Sequence, residues 1–167
     1  MKEKINIRKV KNGDEKTLAY IQTESWKSAF NTILSKEDLE KYTNIGKATE
    51  MYSHLLRENI ANGYILSINN EPHCIAYWDK ARDEDMEGYA EIICIHSLNK
   101  NWGKGYGSMM MEHILKEIKD AGFKKVFLWV FEENHRARSF YEKYGFVLTG
   151  KSKIFSHATE VMYAREL

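Results

Sequence analysis

Three stretches of this chain carry residue types suited to chemistry. The first is Asn101-Trp102-Gly103-Lys104-Gly105-Tyr106-Gly107-Ser108, set between a strand-like and a helix-like segment. Glycines admit positive φ and let the backbone come close to a ligand. A helix N-terminus adds unpaired N–H groups and partial positive charge. Together these make a phosphate cradle, although the same run taken alone also serves as a tight turn. The P-loop pattern GxxxxGK(S/T) is absent. The dinucleotide fingerprint GxGxxG is half met, because Ser108 stands where its third glycine belongs. No acidic residue ends a strand about 20 residues later, and Glu132 and Glu133 come further on. A nucleotide-dependent oxidoreductase is therefore disfavoured. The second stretch runs from Asn134 to Phe146 and reads NHRARSFYEKYGF. Plainly read, it is an amphipathic helix with an asparagine N-cap and a glycine stop. The third is Ala90-Glu91-Ile92-Ile93-Cys94-Ile95, a carboxylate inside an apolar strand. Such a group is a polar residue on a solvated face, or a partly desolvated one with a raised pKa.

The surrounding pattern supplies the elements that must hold these stretches. Ile5, Ile7 and Val10 mark a first strand, and Asn12-Gly13-Asp14 offers a turn and an N-cap. Leu18, Ile21, Trp26 and Phe30 follow at helical spacing. Ser35 with Asp38 starts a second helix, and a third is expected from Lys47 to Asn62, stopped by Gly63. Strands are expected at Tyr64–Ile68, Cys74–Trp78 and Tyr89–His96, with a charged loop at Arg82-Asp83-Glu84-Asp85. A long helix leads from the glycine loop to Ala121. Val126–Phe131 is apolar throughout, as for a strand buried on both faces. A helix over His135–Tyr144 and strands near Phe146–Lys153 and Glu160–Glu166 complete a single α/β (α+β) domain spanning 1–167.

Composition narrows the function classes. A length of 167 residues with 43% apolar content suits one domain with a proper core. A net charge of +1 gives no field for nucleic acid. The cysteines, Cys74 and Cys94, lack CxxC spacing, which points to a reducing, cytoplasmic setting. Six scattered histidines show no metal-ligand spacing, so no metal site is expected. No apolar run approaches a membrane span, and the charged N-terminus does not read as a signal peptide.

In order, a strand, a G-x-G loop, a helix, an apolar strand and N-x-x-A-x-x-F-Y-x-x-x-G-F resemble the GNAT superfamily of N-acetyltransferases. The match is strong from Glu91 to Phe146 and looser over most of the chain. The family loop is usually Q/R-x-x-G-x-G/A, and Trp102 stands here for the Gln or Arg. That departure touches one side-chain contact and leaves the backbone cradle intact. The resemblance implies a twisted, mixed, mostly antiparallel sheet splayed between its fourth and fifth strands. It implies that acetyl-coenzyme A lies in that wedge, its pantetheine on the backbone near Ile95, His96 and Ser97. The pyrophosphate would rest on Gly103, Lys104, Gly105, Tyr106, Gly107 and Ser108, with Asn134 and Tyr141 contributing from the far wall. Tyr141 matches the family tyrosine that protonates the departing thiolate. Glu91 matches the general-base glutamate of histone-type members, and His96 is a weaker candidate on the proton path. The implied reaction is direct attack of an amine, either a small amine such as a polyamine or a protein amine. Trp26, Phe30 and Tyr42 fall where the family binds its acceptor; at helical spacing they read equally as core. The acidic run Asp83–Asp85 with Glu87 suits a cationic acceptor or a solvated turn. The family also includes modules that bind acetyl-coenzyme A without turnover, but the presence of both Tyr141 and Glu91 favours an enzyme. Dimers are common in the family, so the resemblance admits a homodimer.

Overall fold

Runs of β-branched and aromatic residues form seven strands in the computed structural model, which describes residues 1–167. They are β1 (Ile5–Lys9), β2 (Asn62–Ile68), β3 (Glu71–Lys80), β4 (Ala90–Ser97), β5 (Lys125–Phe131), β6 (Val147–Phe155) and β7 (Ala158–Glu166). The helices are α1 (Glu15–Ala29), α2 (Lys36–Tyr42), α3 (Ile45–Arg57), α4 (Tyr106–Asp120) and α5 (His135–Lys143). The strands make one sheet in the order β1-β2-β3-β4-β5-β7-β6. Every pairing is antiparallel except β4 with β5, whose parallel crossover carries α4. The mixed, mostly antiparallel sheet that the family resemblance implies is thus present.

Each face of the sheet has its own core. On one face Met110, Met111, Ile114 and Ile118 of α4 bury against Leu66, Ala76, Ile92, Val126 and Leu128. Their helical spacing makes one apolar stripe. On the other face Leu18 and Ile21 of α1, with Ala48 and Tyr52 of α3, cover Ile65, Ile75 and Tyr77. Further along that second face, Phe127 of β5 packs with Met86 and Met162. β5 therefore buries alternate residues on both faces, which explains its unbroken apolar sequence. No helix is long and apolar enough to cross a membrane.

Two local expectations are corrected. α3 ends at Arg57, not at Asn62, because Asn59 (φ 51°) and Ala61 (φ 62°) turn left-handed and break it. Gly63 is no helix stop; it lies in β2 beneath the Tyr77 ring, and a Cβ there would meet Tyr77 Cζ at 2.4 Å. Gly63→Ala should therefore cost about 1–3 kcal/mol through overpacking. Urea unfolding checks this, and an unchanged midpoint would mean that the Tyr77 ring can move aside. Asp14 stands at the α1 N-cap, but its carboxylate makes no cap bond. It accepts instead from Arg8 at 2.8 and 2.9 Å and from the Lys11 N–H at 2.8 Å, tying α1 to β1.

Candidate active site

The site begins where two strands part. β4 and β5 pair only over Ala90–Ile92 and Val126–Leu128, although β4 runs on to Ser97 and β5 to Phe131. A bulge in β4 drives them apart. Opposite β3, Trp78 pairs with Ile92 but Tyr77 pairs with Cys94, so Ile93 is an extra residue. Ile93 and Cys94 both pack towards the α1–α3 core, and Ile95 returns to the α4 face. From Ile93 onward the β4 edge lacks a β5 partner. A cavity of 680 Å³ opens in the gap, in the range of ligand pockets.

One wall of this cavity is the glycine loop. Gly103 (φ 78°) and Gly105 (φ 90°) are both left-handed, a backbone that side-chain-bearing residues rarely adopt. Gly105 is the N-cap of α4 and offers no side-chain cap, so the first N–H groups of the helix stay free. Gly103, Gly105, Tyr106, Gly107 and Ser108 line the cavity with Ile95 and Ser97. Lys104 does not; its Nζ donates to Asn101 Oδ1 at 2.9 Å. The Asn134 side chain also stays out of the lining, accepting from the Ala137 N–H at 3.2 Å as the α5 cap.

The opposite wall is α5, which brings Arg136, Phe140 and Lys143. The Arg136 guanidinium lies 3.5 Å from the centroid of Trp102, a cation–π stack across the cavity mouth. Trp102 is fixed in turn by its Nε1, which donates to Ser97 O (3.1 Å) and Oγ (3.0 Å). The tryptophan that departs from the family pattern is thus a wall of the cavity. Its partner Arg136 was not legible in the sequence, because the two lie on different elements far apart in the chain. His73 also reaches the cavity with its Nδ1 buried and unpartnered. Burial, with the charges of Lys100 and Lys104, pulls His73 down to about 4.

Tyr141 lines the cavity, edge-on to Phe146 (6.0 Å) and Phe140 (5.6 Å). Its hydroxyl has no protein partner, and burial pushes its pKa well up despite the Arg136 charge. Glu91 stands elsewhere. Its neighbours Ala90 and Ile92 belong to the α4-face core, so its side chain points to the α1 face. There it is 2% exposed and accepts from Arg82 Nη2 (2.6 Å), Nε (3.0 Å) and the backbone N–H (3.2 Å). His96 also points to the α1 face. Its Nε2 accepts weakly from Trp26 Nε1 at 3.4 Å, and burial holds it near a pKa of about 4, hence neutral at pH 7.

Trp26, Phe30 and Tyr42 come together on this α1 face. Trp26 meets Phe30 at 5.0 Å and Tyr42 at 6.2 Å. Sequence reasoning missed the two rings that complete the cluster. Phe131, at the end of β5, meets Phe30 at 4.9 Å; Phe155, at the end of β6, meets Tyr42 at 4.9 Å and Trp26 at 6.1 Å. The cluster sits beside the divergence of β4 and β5.

Comparison with known proteins agrees with this fold. The model of the acetyltransferase (GNAT) family matches residues 20–146. An uncharacterized N-acetyltransferase of Mycobacterium tuberculosis is 23% identical over 158 residues, spanning 92% of this chain and 98% of that protein. The PaiA N-acetyltransferase of Thermoplasma acidophilum, solved in complex with coenzyme A, superposes with a TM-score of 0.83 at 20% identity, covering 98% and 99% of the two chains. A GNAT-type N-acetyltransferase from Rhodopseudomonas palustris gives 0.79 at 15% identity, covering 100% and 99%.

Proposed function

The chain belongs to the acetyltransferase (GNAT) family, and from that premise we propose that it moves an acetyl group from acetyl-coenzyme A to a primary amine. One observation carries this reading: the N–H cradle of α4 and the unpaired edge of β4 border the same 680 Å³ cavity. A diphosphate needs many donors and gains from a helix N-terminus. Pantetheine carries amides, so it can add to a free strand edge as a peptide would. Arg136 and Lys143 on the far wall favour the same anion. The residues therefore fit coenzyme A, whose thioester supplies an activated acetyl group.

The chain's own groups then manage protons. An alkylamine has a pKa of about 10.4, so it arrives protonated and must lose a proton to attack. Glu91 is the proposed base. Both its oxygens accept from Arg82, so it receives that proton through a water or after the guanidinium swings away. Arg82 is free to do so, being largely exposed. His96, held neutral, is placed to pass a proton and not to hold one. A backbone N–H in the bulged part of β4 meets the charge that develops on the acetyl oxygen. Tyr141 donates to the departing sulfur; burial keeps the phenol protonated at neutral pH, and the same upward shift makes it a weak acid whose contribution is modest.

Thiol release from acetyl-coenzyme A, followed with and without a panel of primary amines, tests the proposal. Release that depends on an amine supports it. Coenzyme binding with no release from any amine would leave a binding module instead.

A further inference from the structure

Two carboxylates, Glu91 and Glu160, share the α1 face beside the strand divergence, and they differ in how they are satisfied. Glu91 accepts three hydrogen bonds. Glu160, on β7, accepts none. Its nearest cation is Lys153 Nζ at 3.8 Å, outside hydrogen-bond reach, although the Glu160 side chain is only 18% exposed. Its oxygens still reach solvent, and no protein donor fixes them, so the carboxylate is open to an incoming cation. Burial lifts Glu160 above its ordinary range, outweighing the pull of Lys153 and Arg82.

Its position gives that use a shape. Glu160 pairs directly with Phe131, so both side chains leave the sheet on one face. Phe131 is the inner ring of the aromatic cluster, against Phe30 and Phe155. Hydrocarbon and ring surface thus lies immediately beside a carboxylate that no protein donor holds, one strand beyond the wall of the splay. The chain itself shows what such a place holds. Lys153 Nζ sits 4.3 Å from the centroid of Trp129 and leans towards Glu160. An alkylammonium is already held between a ring face and this carboxylate.

Resting on the acetyl-transfer reading above, we propose that Glu160 is the anchor for the acceptor's ammonium group, and that the acceptor is an amine with an apolar or aromatic stem and no carboxylate near its nitrogen. The stem lies on Trp26, Phe30, Phe131 and Phe155. The ammonium displaces Lys153 at Glu160 in the binding complex; the nitrogen then leaves Glu160, gives up its proton by the water path to Glu91, and attacks as the free amine at the divergence of β4 and β5 from the α1 side.

Phenethylamine and phenylalanine make a matched pair of probes, since they differ only in the carboxylate. Titration of each into protein saturated with coenzyme A reads acceptor binding without turnover, and initial rates with acetyl-coenzyme A give kcat and KM. Wild type should bind and acetylate phenethylamine and reject phenylalanine. Glu160→Gln should raise the phenethylamine Kd and KM by roughly 10-fold or more, as expected for loss of a charge-assisted hydrogen bond, with a smaller change in kcat. It should also narrow the discrimination against phenylalanine. Lys153→Met should tighten phenethylamine binding by removing the internal competitor. Unaltered coenzyme affinity in both variants shows that the fold and the acetyl-coenzyme A site survive. Wild type that ignores phenethylamine overturns the proposal, as does a Glu160→Gln protein that matches wild type. A Lys153→Met variant that loses amine binding as Glu160→Gln does would make the pair structural and overturn it too. The acetyl-transfer reading fails separately, if acetyl-coenzyme A does not bind.

Discussion

Gly105→Glu is expected to abolish coenzyme binding. Gly105 holds φ at 90° and lines the cavity as the N-cap of α4. A Cβ at this position meets nothing within 4 Å, so the loss does not come from a clash. It comes from two other sources. A non-glycine residue in left-handed backbone costs roughly 1–2 kcal/mol, which the loop recovers only by rotating its N–H groups. A carboxylate would then enter the proposed diphosphate cradle and repel the coenzyme. Gly105→Ala separates the two, because it keeps the backbone penalty without the charge. The alanine variant should weaken binding by about 10-fold, and the glutamate variant should show no saturable binding by calorimetry. Wild-type affinity in Gly105→Glu would place the diphosphate elsewhere.

Tyr141→Phe should lower kcat by about 10- to 100-fold, at and below the lower end of the range for a positioned proton donor, because a phenol with a raised pKa is a weak acid. Coenzyme affinity should change by no more than about 2-fold, since the ring keeps its packing against Phe140 and Phe146. The hydroxyl faces the cavity without a protein partner, so its removal orphans no buried group. The pH behaviour follows from the direction of its shift. Burial raises the phenol above its usual value of about 10, so it stays protonated throughout the neutral range. Wild-type kcat should therefore show no descending limb from Tyr141 below pH ~10. Unchanged turnover in Tyr141→Phe would remove the tyrosine from the proton path.

The parts of the site that depend on neighbours in the chain were legible in its sequence. Gly103, Gly105 and the start of α4 form one local unit, and their conformation follows from residue type. β5 announced its double burial through an unbroken apolar run. Tyr141 was legible through its motif. The proposed acceptor side was legible only in Trp26, Phe30 and Tyr42, because register across three strands assembles the rest. Phe131 and Glu160 meet only when β7 pairs with β5, and Phe155 joins them from β6. In sequence these are ordinary strand residues. Trp102 and Arg136 likewise meet only when α5 folds over the loop. Gly63 misled for a related reason: a glycine after a helix suggests a stop, whereas the ring that demands it belongs to the neighbouring strand. Glu91 was placed on the right strand, but its engagement by Arg82 depends on the turn after β3.

The most direct test is thermal stability with and without acetyl-coenzyme A, with NAD and ATP as controls. A ligand at 100 times its Kd adds about 2.7 kcal/mol, which for a chain of this size raises the melting temperature by roughly 5–10 °C. A rise of that order with acetyl-coenzyme A, and none with NAD, is the predicted result. No rise with the coenzyme, or an equal rise with NAD, would contradict the assignment of the cavity.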